Sequence, residues 1–131
     1  MEDQISDMVT RIRNGQRVGL FKISLYNPSS TICIQILNIL YKEGFIRGFK
    51  IKSNHPLVVE VLLKYDAFGN PAIKQISRLS TSSKRIYVNI KMLWNIKAGL
   101  GIFILTTSKG LMTHLDAKIL NHGGEVLCSV Y

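Results

Sequence analysis

Apolar residues recur along this chain with two periods, and the switches between them mark out its elements. Ile5, Met8, Val9 and Ile12 fall at i, i+3, i+4 and i+7, one face of a helix expected over 3–14. Asp3 and Ser6 suit its start and Asn14-Gly15 its end, with Arg11 and Arg13 in the last turn, where cations favour the helix dipole. Residues 22–26 alternate, Ile23 and Leu25 against charge and hydroxyl, which predicts a short strand. Asn27-Pro28-Ser29-Ser30 breaks it and offers helix caps. From Ser30 onward, Cys33, Ile36, Leu37 and Leu40 define a second helix, closed by Gly44. Residues 45–51 and 57–65 read as strands around the turn Ser53-Asn54-His55-Pro56, with His55 as exposed loop. In the second of them Val59, Val61, Leu63 and Tyr65 share one face, and Glu60 and Lys64 the other.

The turn-rich stretch from Asp66 to Pro71 is the expected domain boundary, separating 1–66 from 67–131. Beyond it, 73–77 and 85–88 are expected strands around the turn Ser80-Thr81-Ser82-Ser83. Residues 93–97 are ambiguous, with Trp94 either a core plug or an exposed stacker, core being commoner. Residues 102–105 read as a buried strand that stops in Thr106-Thr107-Ser108-Lys109-Gly110. After Gly110 the spacing of Leu111, Leu115, Ile119 and Leu120 turns helical, so this segment reads strand, polar turn, helix. Asn121-His122-Gly123-Gly124 then leads into a last strand over 125–131. The predicted class is α+β: two small packed domains, an α-β-α-β-β half and a mainly β half carrying one short helix.

The polar turn is the first candidate for chemistry. Hydroxyls, a cation and a glycine backbone sit where a helix is expected to begin with unpaired amides, a combination that suits phosphate and sugar oxygens. Ser, Thr and Gly at such a junction are equally ordinary capping and turn residues.

Charge shifts that balance. The 131 residues hold 17 Lys and Arg against 8 Asp and Glu, a net charge of +9 that favours polyanions. The cations are scattered through helices, strands and turns rather than gathered on one amphipathic helix, which favours nucleic acid over a membrane surface. No apolar run approaches the roughly 18–20 residues of a membrane span. Met1-Glu2-Asp3 lacks the order of a secretory signal or transit peptide. Cys33 and Cys128 read as small buried hydrophobes, and one pair without an export signal is weak evidence for a disulfide.

His114 and His122 match no zinc spacing, Lys109 precedes Gly110 in the wrong order for a phosphate-binding loop, and the residue three before Lys84 is Thr81 rather than a serine nucleophile. No metal, cofactor or small-molecule substrate is therefore expected, and nothing demands an enzyme. Two alternatives stay open: a basic module for anionic membrane or acidic protein, and a small RNA-processing enzyme using Asp66 or Asp116.

Several blocks, taken in order, resemble one family. Gln4-Ile5-Ser6-Asp7-Met8-Val9-Thr10-Arg11-Ile12-Arg13-Asn14-Gly15 resembles the opening signature of the ribosomal small-subunit protein eight family. Pro28-Ser29-Ser30, Glu43-Gly44-Phe45-Ile46, Leu62-Leu63-Lys64-Tyr65, Arg85-Ile86-Tyr87 and Ala98-Gly99-Leu100-Gly101 follow in that family's order. Thr107-Ser108-Lys109-Gly110-Leu111-Met112-Thr113 and Gly123-Gly124-Glu125-Val126 complete it. The resemblance implies a two-domain structural constituent of the ribosome that binds the central domain of small-subunit rRNA, on a helix with an irregular internal loop, early in subunit assembly. It makes Thr107, Ser108, Lys109 and Gly110 the main RNA contact, with Thr106 just before them and Tyr87 and Glu125 near the same surface. It gives Arg11, Arg13, Asn14, Ser29 and Ser30 secondary RNA contacts, and neighbouring small-subunit proteins as further partners. Two departures, Thr31-Ile32-Cys33 after Ser30 and Thr81-Ser82-Ser83 in place of the family's Arg-Pro-Gly turn, remove phosphate partners and turn rigidity. Enrichment in Ile, Lys, Asn, Phe and Tyr, residues of AT-rich codons, leads to the expectation of an organelle-encoded copy, mitochondrial rather than plastid.

Overall fold

The computed structural model describes residues 3–26, 30–54, 56–81, 83–89, 91–92 and 101–131; His55 and residues 93–97 with Trp94 lie outside this set. The chain forms two compact units, 1–74 and 75–131. No helix among the described residues is long and apolar enough to cross a membrane.

In the first unit, α1 (Asp3–Val18), β1 (Lys22–Tyr26), α2 (Ser30–Lys42), β2 (Ile46–Asn54) and β3 (Leu57–Leu63) follow one another along the chain. The strands make an antiparallel sheet in the order β1-β3-β2, with Ser24 and Lys50 both opposite Glu60. Alternation then turns Leu25, Val59, Val61 and Leu63 to one face, where all are buried. Both helices pack on the sheet and bury Met8, Val9, Ile12, Ile36, Leu37 and Leu40 almost completely. Each such side chain contributes about 1.5–3 kcal/mol relative to exposure.

Helix α1 does not stop at Asn14-Gly15, as expected, but runs on to Val18. A Cβ at Gly15 would stand 2.7 Å from Ile23 Cγ2 and 3.0 Å from Leu63 Cδ1, so this glycine serves close packing of helix on sheet. The helix ends instead at Gly19, whose φ of 88° and amide hydrogen bond to the Gly15 carbonyl at 3.0 Å close its last turn. Residues 67–74 stay with this unit. Asp66 accepts from the Phe68 and Asn70 amides, both at 2.8 Å, and buried Gln16 accepts from the Ile73 amide at 3.1 Å.

The second unit holds β4 (Ile76–Arg78), β5 (Tyr87–Val88), β6 (Ile102–Thr107), β7 (Gly110–Thr113), α3 (His114–Leu120) and β8 (Gly124–Val130). Its sheet runs β4-β8-β6-β7, with β5 also paired to β8. Leu105, Met112, Ala117 and Val126 form one buried apolar cluster, with Leu79, Val88 and Phe103 against them, and Ile76, Ile104, Cys128 and Val130 are buried as well. Both cysteines are free and buried, and burial pushes the Cys128 thiol up to about 12.

The expected helix after Gly110 is replaced at first by a strand. Residues 110–113 pair with 104–107, and the helix starts only at His114, capped by Thr113 Oγ1 accepting from the Asp116 amide at 3.2 Å. Leu115, Ile119 and Leu120, expected to pack, are 50%, 78% and 50% exposed. The helix buries His114 and Ala117 instead. Spacing misled because Leu111 belongs to the strand, so its interval to Leu115 spans a junction rather than one helix face.

The Phe103 amide donates to His114 Nδ1 at 3.1 Å, and the two rings meet edge to face with centroids 5.7 Å apart. Burial first, then the charge of Lys118, holds the His114 pKa below its ordinary value. A protonated imidazole has no lone pair left to accept the Phe103 amide.

Two outcomes follow for stability. Gly15→Val is expected to destabilise by about 1–3 kcal/mol through overpacking, read from urea unfolding. Since the unfolded chain takes up the His114 proton first, stability is full above the unfolded pKa of about 6.5 and declines as pH falls toward the lower folded value. Urea midpoints on either side of that window are expected to differ less in His114→Gln than in the wild type; an equal difference would place the proton uptake elsewhere.

Candidate nucleic-acid interface

Strand register gathers residues far apart in sequence at one end of the second sheet. Tyr87 on β5 and Thr106 on β6 both stand opposite Glu125 on β8, and Leu111 on β7 stands opposite Thr106. Residues paired directly across strands share a face, so Tyr87, Glu125 and Thr106 form one row. Two glycines permit it. A Cβ on Gly124 would run into the Thr106 carbonyl oxygen, and one on Gly123 into the Val88 carbonyl oxygen, with Asn89 Cα only 2.9 Å away. Backbone, not a yielding side chain, stands in both places.

Beside this row β6 and β7 turn through Ser108 and Lys109, with Thr107 opposite Gly110. The turn is thus a hairpin tip rather than a helix start, and no helix amides stand behind it. Its order comes from Thr107, whose Oγ1 donates to the Gly110 carbonyl at 2.9 Å and accepts from the Lys109 amide at 3.1 Å. Gly110 takes the left-handed burden at φ 113°, whereas among the described non-glycine residues only Asn121 has positive φ. The three turn hydroxyls therefore divide: Thr107 braces, Ser108 stands exposed beside exposed Lys109, and Thr106 lies half-buried in the row.

Glu125 does not face solvent. It is buried, accepts from Ser80 Oγ at 2.6 Å, and pairs with Arg85 Nη1 at 3.3 Å. Buried Ser80 also accepts the Ile86 amide at 2.9 Å, and the Ile86 carbonyl accepts from the Val126 amide at 2.9 Å. Glu125 thus ties the segment before β5 to β8 and leaves Tyr87 exposed in the row. Ser80 was not legible as a site residue: it lies 45 positions from Glu125, with no periodic signal joining them.

In the first unit, Arg11 and Asn14 line a shallow groove of about 420 Å³ together with Lys22, Ser24 and Tyr26. Arg11 Nε pairs with Asp7 at 3.1 Å, and its guanidinium lies 5.9 Å from the centre of the Tyr26 ring. Arg13 is half-buried, Ser30 opens α2, and Ser29 lies outside the described residues. Lys22, Ser24 and Tyr26 join this groove without a family motif to mark them; their two-residue spacing in β1, which puts them on one face, is the signal that points to them.

The acids weighed for catalysis have local work. The Asn70 amide, ahead of the Asn70 side chain and the Phe68 amide, holds Asp66 below its usual pKa against a smaller opposing effect of burial. Asp116 lies in the first turn of α3. Among the described residues, no three His, Cys, Asp or Glu side chains are grouped to hold a metal ion.

Comparison with known proteins gives one consistent answer. Residues 3–131 match the family model described as Ribosomal protein S8. The chain is 44% identical to the small ribosomal subunit protein uS8 of Buchnera aphidicola subsp. Schizaphis graminum, over 99% of this chain and 98% of that one. It is 43% identical to uS8 of Acidiphilium cryptum over the full length of both, and 44% identical to uS8 of Orientia tsutsugamushi (strain Boryong) over 100% of this chain and 98% of the relative. These relatives are bacterial and lend no support to a mitochondrial origin. With the match spanning both units and running through the turn at 107–110, the chain belongs to the ribosomal protein S8 family.

Proposed function

We propose that this protein is a constituent of the small ribosomal subunit that binds small-subunit rRNA through the end of its second sheet. The observation that carries the reading is the exposed Ser108-Lys109 tip, braced by Thr107 and set beside the Tyr87–Glu125–Thr106 row. Each part has a chemical use. The Lys109 ammonium neutralises a phosphate, and the Ser108 hydroxyl donates to and accepts from a 2′-hydroxyl or base edge. Tyr87, 63% exposed, offers a ring surface for an unstacked base. Glu125 acts through Ser80 and Arg85, holding the segment that carries Tyr87 in place.

Nothing in this scheme makes or breaks a bond. Binding releases counterions from the RNA backbone, and the braced turn selects one shape of an irregular helix, which is thereby ready for later partners. The function is binding and organisation in the small subunit rather than catalysis. Its seat is the ribosome, with the protein working in translation and its neighbours there being rRNA and other small-subunit proteins.

Three substitutions separate these roles. Lys109→Ala is expected to lower the slope of log affinity against log salt by about one, as loss of a single phosphate contact does. Ser108→Ala is expected to weaken an rRNA helix with its internal loop more than a fully paired control; equal loss on both would remove the recognition role. Ser80→Ala leaves the Ile86 amide without its partner and Glu125 held by Arg85 alone, at a cost of roughly 1–3 kcal/mol in urea unfolding. It should also weaken the internal-loop RNA, and full affinity in a destabilised Ser80→Ala protein would detach Tyr87 from binding.

A further inference from the structure

The first unit carries a basic surface of its own, on the face of the β1-β3-β2 sheet opposite Leu25, Val59 and Val61. At its centre Glu60 is buried, its side chain only 4% exposed. Three lysines reach the carboxylate: Lys52 Nζ at 3.2 Å, Lys50 Nζ at 3.4 Å and Lys22 Nζ at 3.5 Å. They come from both flanking strands, Lys22 from β1 and the other two from β2, while Glu60 sits on the central β3. Each lysine side chain remains between 49% and 63% exposed. Their apolar stems therefore cover the carboxylate while the ammonium groups meet solvent.

This arrangement holds more cations than the buried carboxylate needs. Three ammonium groups against one carboxylate leave two positive charges in excess at one spot on a sheet. Pairing keeps the buried carboxylate from being a liability, but the apolar core lies on the other face and two of the three cations exceed what charge balance needs, so stability does not explain their number. Burial acts to raise the Glu60 pKa, but the hydrogen bond from Lys52, the charges of Lys22 and Lys52 and the hydrogen bond from Lys50 together outweigh it and leave it lowered. The carboxylate stays ionised and keeps three mutually repelling cations together.

Tyr26 shares this face, two positions along β1 from Ser24, which stands opposite Glu60. Tyr26 is 64% exposed with the Arg11 guanidinium 5.9 Å from its ring centre, and the groove it lines with Arg11 also includes Lys22. Spaced cations beside an exposed aromatic ring are what a sheet uses to hold RNA, the cations on phosphates and the ring on a base. An acidic protein segment would need the cations but not the ring.

We propose that this sheet face is a second RNA-binding surface, on which Lys22, Lys50 and Lys52 hold backbone phosphates and Tyr26 receives an unpaired base. Glu60 is its positioning residue. The inference rests on the reading of the chain as an rRNA binder and adds to the first unit a sheet face distinct from the contacts expected at Arg11, Arg13, Asn14, Ser29 and Ser30.

The test measures binding of the full chain, as a function of salt, to a short internal-loop helix and to a longer transcript of the rRNA central domain. Replacing Lys22, Lys50, Lys52 and Glu60 together by Gln leaves no lone buried carboxylate to threaten the fold. On the transcript this variant is expected to lower the slope of log affinity against log salt by about two to three. Tyr26→Ala should weaken transcript binding several-fold, and both variants should bind the short helix as the wild type does. A chain with Lys22→Arg, Lys50→Arg and Lys52→Arg should keep the slope. An unchanged slope in the fourfold Gln variant, or a lost slope in the arginine variant, overturns the proposal. Lys109→Ala reports separately on the first site, since it acts on the short helix. If Tyr26→Ala has no effect and a poly-glutamate peptide displaces the transcript at equal charge concentration, the surface belongs to an acidic protein partner and the proposal falls.

Discussion

The second unit depends on a close approach of backbone to backbone. Strand β8 runs between β6 and β5, and at its start two successive residues, Gly123 and Gly124, lie where any Cβ would meet a carbonyl oxygen of a neighbouring strand. Only there do Tyr87, Glu125 and Thr106 come into one row. The requirement is steric and leaves little room for relaxation, because the obstructing atoms are backbone held in a ladder. The interface is thus built on two absent side chains before any polar group contributes.

Upon that frame, a carboxylate organises each polar surface. Glu125 binds Ser80 and Arg85 and so orders the approach to β5; Glu60 binds three lysines and so orders a basic face. A buried carboxylate is costly unless its oxygens are satisfied, and both are. The two differ in outcome. Ser80 spends its hydroxyl inward, so Glu125 leaves a neighbouring aromatic exposed, whereas Glu60 leaves cations exposed. In a protein with a net charge of +9, such anchors decide where positive charge gathers rather than how much there is.

The hairpin tip shows the same economy at smaller scale. One hydroxyl, that of Thr107, makes two hydrogen bonds within the turn, and Gly110 adopts the φ that a side chain would resist. Ser108 and Lys109 are thereby held in position without using their own functional groups. Preorganisation of this kind lowers the entropy lost on binding.

What the chain's own pattern determined was local. The faces Ile5, Met8, Val9, Ile12 and Val59, Val61, Leu63 follow from periods of 3.6 and 2, and every one of these residues is buried. The ordered family blocks likewise carried the family, which the match over residues 3–131 bears out. Three matters belonged to tertiary structure alone. Gly15 looked like a helix end and proved to be a packing contact, because its neighbours Ile23 and Leu63 come from strands. Leu111 to Thr113 looked helical and paired as a strand, because the partner that satisfies its backbone is β6. Glu125 and Ser80, like Glu60 and its lysines, meet only once strands are paired and in register. Periodicity records which face of an element is buried, but a pairing between elements depends on register, which no single segment carries.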